Sequence, residues 1–81
     1  MQMADVYSTK DLAEASFLLA SGIKLAQIKD EDGRFWFIFA DKLNCQRLSD
    51  SFWRREAMVN AQELCSAMRT LKDVIFHKRQ R

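Results

Sequence analysis

The chain has 81 residues, 48% of them hydrophobic and 30% charged, with two glycines and no proline. Its formal charge is only +2. A composition of this kind excludes a disordered or collagen-like chain and suits a single domain, residues 1–81, with little core to spare.

Val6-Tyr7 is a short candidate strand. Ser8 or Thr9 can cap the helix that follows, with Asp11 in its first turn, where the helix dipole favours an acid. Leu12, Ala15, Ser16 and Leu19, with Ala13, Phe17 and Ala20 beside them, give this helix a broad apolar surface that predicts near-complete burial. Gly22 stands where a helix end needs a left-handed residue.

Ile23–Asp30 reads as a strand of imperfect alternation, because Ile23 and Leu25 share one parity and Ala26 and Ile28 the other. A bulge, or partial burial of both faces, accounts for the switch. Glu31-Asp32-Gly33 turns the chain into the run Phe35-Trp36-Phe37-Ile38-Phe39, a strand leaving a tight hairpin. Phe35, Phe37 and Phe39 point to one face and Trp36 and Ile38 to the other, so both faces are apolar.

Asp41 is a good cap for a second helix over about 42–56, with Cys45, Leu48 and Phe52 on its inner side. Arg47, Asp50 and Arg54 lie on the outer side, and Leu43 and Trp53 fall off the apolar stripe. Ala57-Met58-Val59 is a candidate edge strand. Asn60 with Glu63 resembles a capping box for a third helix, and Val59 and Leu64 occupy the positions of a hydrophobic staple. Leu64, Met68, Leu71 and Ile75 then form its apolar stripe. The expected fold is α+β, a three- or four-stranded antiparallel sheet with helices on one face, in the order β-α-β-β-α-(β)-α. With the bracketed strand, the first six elements match a split β-α-β arrangement. Residues 77–81 read as a basic, flexible tail.

Phe17-Leu-Leu-Ala-Ser-Gly22, the Phe37-Ile-Phe39 strand, Phe52-Trp53, Val59-Asn60-Ala61 and Arg69-Thr-Leu-Lys72 resemble a family of short prokaryotic proteins classed as a domain of unknown function. The resemblance spans roughly residues 7–76. It implies a self-contained prokaryotic domain, of a type carried by phages or mobile elements, and brings no activity, substrate or catalytic residue with it.

Little in the chain suits catalysis. A nucleophile needs an adjacent base, and the only histidine, His77, stands near the C-terminus. Cys45 and Cys65 lack the partners of a metal site and read as buried free thiols. Asp30, Glu31 and Asp32 read as a solvated turn, and Gly22 and Gly33 form no phosphate cradle. No cofactor, metal or small-molecule substrate is expected. No window approaches the roughly 18 apolar residues of a membrane span, and Met1–Asp5 shows no secretory signal. A cytoplasmic protein is expected.

Two binding functions fit. Residues 1–68 hold eight Lys/Arg against ten Asp/Glu, whereas Arg69, Lys72, Lys78, Arg79 and Arg81 beyond them face only Asp73. A DNA- or RNA-binding reading uses Lys24, Trp36, Arg54, Arg55, Lys78, Arg79 and Arg81, the indole stacking a base and the cations meeting phosphates. Gly33–Ile38 superficially resembles the aromatic strand of sheet-based RNA binders, but Trp36 stands where that motif wants a small residue and Ala40 where it wants an aromatic. Asp50 between Arg47 and Arg54 at helical spacings suggests instead a self-neutralised face. A protein-interaction reading (homodimer, adaptor or phage-type inhibitor of a host complex) uses Trp36, Ile38, Leu43 and Trp53 as interface residues. In the plainest alternative these apolar side chains complete the protein's own core.

Overall fold

A strand with apolar side chains on both faces has to sit inside a sheet, and the aromatic run does. A computed structural model describes residues 5–79. It contains β1 (Val6–Thr9), α1 (Leu12–Ala20), β2 (Leu25–Glu31), β3 (Arg34–Ala40), α2 (Lys42–Trp53) and α3 (Ala61–Arg79). The strands form an antiparallel three-stranded sheet in the order β1-β3-β2, with the aromatic strand in the middle. Asp32 and Gly33, at φ 54° and 80°, make the two-residue loop between Glu31 and Arg34. Positive φ at both loop residues matches the right-handed twist of the flanking strands.

Leu25 pairs with Phe39 and Gln27 with Ile38, so Ala26 is the extra residue of a bulge. This resolves the parity switch in β2: the bulge turns both Leu25 and Ile28 toward the face of Phe37 and Phe39. Residues 57–59 form no strand. Ala57 and Val59 pack inward and Met58 is 91% exposed, an alternation that mimics a strand, but the segment runs between two helices and pairs with no sheet edge. The order is therefore β-α-β-β-α-α, and the arrangement that required a fourth strand does not form.

All three helices cover the Phe37/Phe39 face. α1 packs against both α2 and α3, so it lies between them and buries Glu14 through Leu18 without interruption. Ala15, Phe17, Leu18, Phe37, Phe39, Cys45 and Leu71 make the core. Phe17 stacks on Phe52 with ring centroids 5.5 Å apart. The molecule measures 38 × 37 × 19 Å, a thickness that fits one sheet and one layer of helices, which pack about 10 Å apart.

Local chemistry fixes the helix ends. The cap of α1 is Asp11, which accepts the Glu14 N–H at 2.8 Å, in place of the expected Ser8 or Thr9. Both of those residues are taken into β1. At the other end Gly22 (φ 95°) closes a Schellman turn, its N–H donating to Leu19 and that of Ile23 to Leu18. Asp41 caps α2 and Asn60 caps α3, the latter accepting the Glu63 N–H at 3.0 Å. α2 stops at Trp53, short of the expected 56, because Arg55 adopts φ 64°. The Arg55 N–H donates to Phe52 and the Glu56 N–H to Ser51, a Schellman turn with arginine where glycine is favoured. α3 continues to Arg79, so residues 77–79 extend a helix instead of starting a tail; residues 80–81 lie outside those described.

Glu14 is 3% exposed on a helix otherwise lined with apolar and small side chains. Burying a carboxyl group is costly unless hydrogen bonds replace its water. Three hydroxyls do so. Tyr7 and Ser49 donate to Oε2 at 2.5 and 2.6 Å, and Thr9 donates to Oε1 at 2.7 Å. One side chain thus ties α1 to β1 and α2. Replacing Glu14 with Ala strands these hydroxyls and should lower stability by about 3 kcal/mol, read as a shift in the urea midpoint. A shift below about 1 kcal/mol would refute the anchoring role.

Burial, and then the bond to Glu14, push the Tyr7 phenol above its ordinary 10.0. Burial and the nearby Asp41 and Glu14 push the Cys45 thiol above its ordinary 9.0. Above these ordinary values the unfolded chain releases protons that the folded chain keeps, so stability falls as pH rises. The decline should begin near pH 9, where the unfolded thiol starts to ionise, and steepen past pH 10. A Tyr7→Phe, Cys45→Ala variant should show a flatter urea-midpoint profile over this range; an unchanged slope contradicts the assignment.

The left-handed backbone at Arg55 yields a prediction of opposite sign. A side chain with a Cβ costs about 1 kcal/mol or more there, so Arg55→Gly should stabilise the protein by roughly that amount. A loss of thermal stability in this variant would show that the Arg55 side chain contributes more than its backbone strain costs.

Candidate nucleic-acid interface

The sheet face away from the helices is built by strand register. Reading across β1, β3 and β2, Val6 lies beside Ala40 and Ser8 beside Ile38, which is paired with Gln27. Trp36 is paired with Lys29, and the Lys10 ammonium lies 5.5 Å from the centre of its ring. Arg34 and Glu31 pair at the hairpin end. Lys24, whose carbonyl accepts the Ala40 N–H at 3.0 Å, falls on this face by alternation from Leu25. Trp36 and Ile38 are half-buried here, without a helix over them.

The face therefore holds an indole flanked by two lysines, with Lys24 and Arg34 at its ends. Glu31 is its one acid in these paired rows, and it lies 3.5 Å from Lys29 with both side chains more than half exposed. Such an exposed pair contributes little. The Lys10 ammonium lies over the indole, and Lys29 is its neighbour on the adjacent strand.

A cavity of about 300 Å³ opens at the hairpin end, lined by Lys10, Leu12, Gly33, Arg34, Phe35, Phe37 and Ile75. Its apolar walls come from α1, β3 and α3.

The remaining residues expected to bind are elsewhere. Arg54 and Arg55 follow α2 in the helical layer, across the sheet from Trp36. Arg54 pairs with Glu56 at 3.4 Å instead of turning back to Asp50, and Arg47 donates to Asn44 at 2.7 Å. Lys78 is exposed on α3 one turn beyond Ile75, Arg79 ends that helix, and Arg81 lies outside the described residues. Of the expected interface residues, Leu43 is 74% and Trp53 59% exposed, both in α2. They are far out of the Trp36 and Ile38 rows, so these four do not form one surface.

Lys29 was legible once the hairpin was: with Glu31 opposite Arg34, two residues back on one strand meet two forward on the other. Lys10 was not, because its place depends on the long-range register of β1. Cys45 is buried, its thiol donating to the Ala40 carbonyl at 3.4 Å, but Cys65 is exposed, contrary to expectation, since it faces away from the α3 stripe. His77 Nδ1 lies 2.9 Å from the Asp73 carbonyl oxygen of its own helix. Among the described residues no group of three or more potential metal ligands occurs, and no helix is long and apolar enough to cross a membrane.

Comparison with curated proteins and with solved structures finds no match to the chain. A family model matches residues 4–77, nearly the whole length, and on that extent the chain belongs to the domain-of-unknown-function family DUF5659.

Proposed function

We propose that this protein is a non-enzymatic binding domain that takes single-stranded nucleic acid on its open sheet face. The observation that carries the reading is the cross-strand row Lys10, Trp36, Lys29. A base stacked on the indole displaces the Lys10 ammonium from the ring. That exposed cation–π contact is worth about 0.5–1 kcal/mol, against about 1–3 kcal/mol for base stacking, so stacking prevails and the freed lysine can meet a phosphate. Lys24 and Arg34 extend the cationic track, and Ile38 and Val6 supply apolar surface beside it. Arg54 and Arg55 play no part in this surface.

The test is the anisotropy of a fluorescein-labelled mixed-sequence single strand at two salt concentrations. Trp36→Ala should weaken binding about tenfold, the equivalent of about 1.4 kcal/mol. Lys10→Ala and Lys29→Ala should each reduce the slope of log affinity against log salt by about 0.7, and Arg54→Ala with Arg55→Ala should leave it unchanged. Failure of the natural chain to bind at low salt sinks the proposal.

The exposed Trp53, with Leu43 on the same helix, favours a second reading, protein–protein association through α2. A dimer in solution that Trp53→Ser disperses, combined with no oligonucleotide binding, would put this reading first.

A further inference from the structure

Lys10 and Arg34 belong to two surfaces at once. Lys10 reaches over the Trp36 ring on the open face and also lines the cavity at the hairpin end. Arg34 starts β3 two residues before Trp36, on the same side, and lines that cavity too. Inside, Leu12, Phe35, Phe37 and Ile75 present apolar walls from α1, β3 and α3. At about 300 Å³ the cavity is at the small end of the range for ligand sites, about 300–1,000 Å³. Asp30 pairs with Phe35 on the same face but does not line the cavity, so the two lining side chains that carry charge are both cations.

The lining suits an occupant with an apolar body and an anionic group beside Lys10 and Arg34. That occupant must also be compatible with a flat group on Trp36, because the two sites share Lys10. Consecutive nucleotides of one strand have this form: two planar rings joined by a charged phosphate. We infer that the cavity receives a base of the strand whose neighbouring base stacks on Trp36, with the phosphate between them held by Lys10 and Arg34. The inference rests on the nucleic-acid reading above. It adds that the strand turns around the hairpin end of the sheet, placing bases on both sides of β3.

The experiment uses the full chain and a fluorescein-labelled thymidylate strand of about ten residues, with methyl NMR spectra of the chain titrated with thymidine 5′-phosphate. Ile75→Trp, which fills the cavity, should weaken strand binding about tenfold, the loss of one base contact, while Ile75→Val should bind as the natural chain does. Thymidine 5′-phosphate should move the Leu12 and Ile75 methyl resonances. If Ile75→Trp fails to fold, Leu12→Trp fills the cavity from α1 and reads the same quantity. Should a folded, cavity-filled variant bind the strand at full affinity while Trp36→Ala weakens it, the cavity is excluded and the open-face reading stands. Should the natural chain not bind the strand at all, both fall together.

Discussion

Among the described residues, three helices share one side of this sheet and none covers the other. β3 has apolar side chains on both of its faces, so Phe37 and Phe39 become core while Trp36 and Ile38 depend on neighbouring strands for cover. The position of α1 enforces the division. It lies between α2 and α3 and is buried over most of its length, which leaves its flanking helices on the same layer. The neighbours of Trp36 there are Lys10, its ammonium over the ring, and Lys29 on the adjacent strand, so charge and aromatic surface coincide. The candidate site follows from having too few elements, with no separate binding motif involved.

Glu14 is the second constraint, and it joins what hydrophobic burial alone would leave loosely oriented. A carboxyl group removed from water commits every hydroxyl it touches to one geometry. Thr9 both donates to Glu14 and accepts the Asp11 N–H at 3.1 Å, so the end of β1 and the cap of α1 are set by one oxygen. Tyr7 and Ser49 each have a single hydroxyl proton, and both give it to Oε2. Their mutual 3.0 Å approach is then a consequence of sharing an acceptor. Through this group the register of β1 reaches α2, and the same register places Lys10 beside Trp36.

Features that depend on neighbours in sequence were legible. The hairpin, the parity switch in β2 (though not the choice of a bulge over partial burial of both faces), the Gly22 turn, the Asp41 and Asn60 caps and the Leu64/Met68/Leu71/Ile75 stripe each follow from a few adjacent residues. Features that depend on tertiary partners were not. Asp11 caps α1 only because β1 extends through Thr9, and nothing local distinguishes Thr9 from Asp11 as a cap. The end of α2 was misplaced because arginine rarely adopts a left-handed backbone. The supposed strand at 57–59 has true alternation but no edge to join. Glu14 carries a local signal: an acid in a helix expected to be buried on all sides must find donors, and Tyr7 and Thr9 share one parity of the adjacent strand. Ser49, 35 residues away, had none.

The electrostatics of the chain bear on what the open face can bind. A net charge of +2 over 81 residues creates little long-range attraction for a polyanion. At physiological salt the Debye length is about 8 Å, so the acids of the helical layer are largely screened from the cations around Trp36. Affinity on the proposed reading must then come from short-range contact. Lys10 and Lys29 alone offer a ligand only two exposed charges, and Trp36 alone offers only one ring. A molecule without planar groups would lose the indole, and an uncharged aromatic would lose the lysines. On the proposed reading the row would therefore select for ligands in which rings and anionic links alternate at the spacing of neighbouring side chains. That requirement, more than the amount of positive charge, is what would separate a nucleic-acid strand from other anions at this surface.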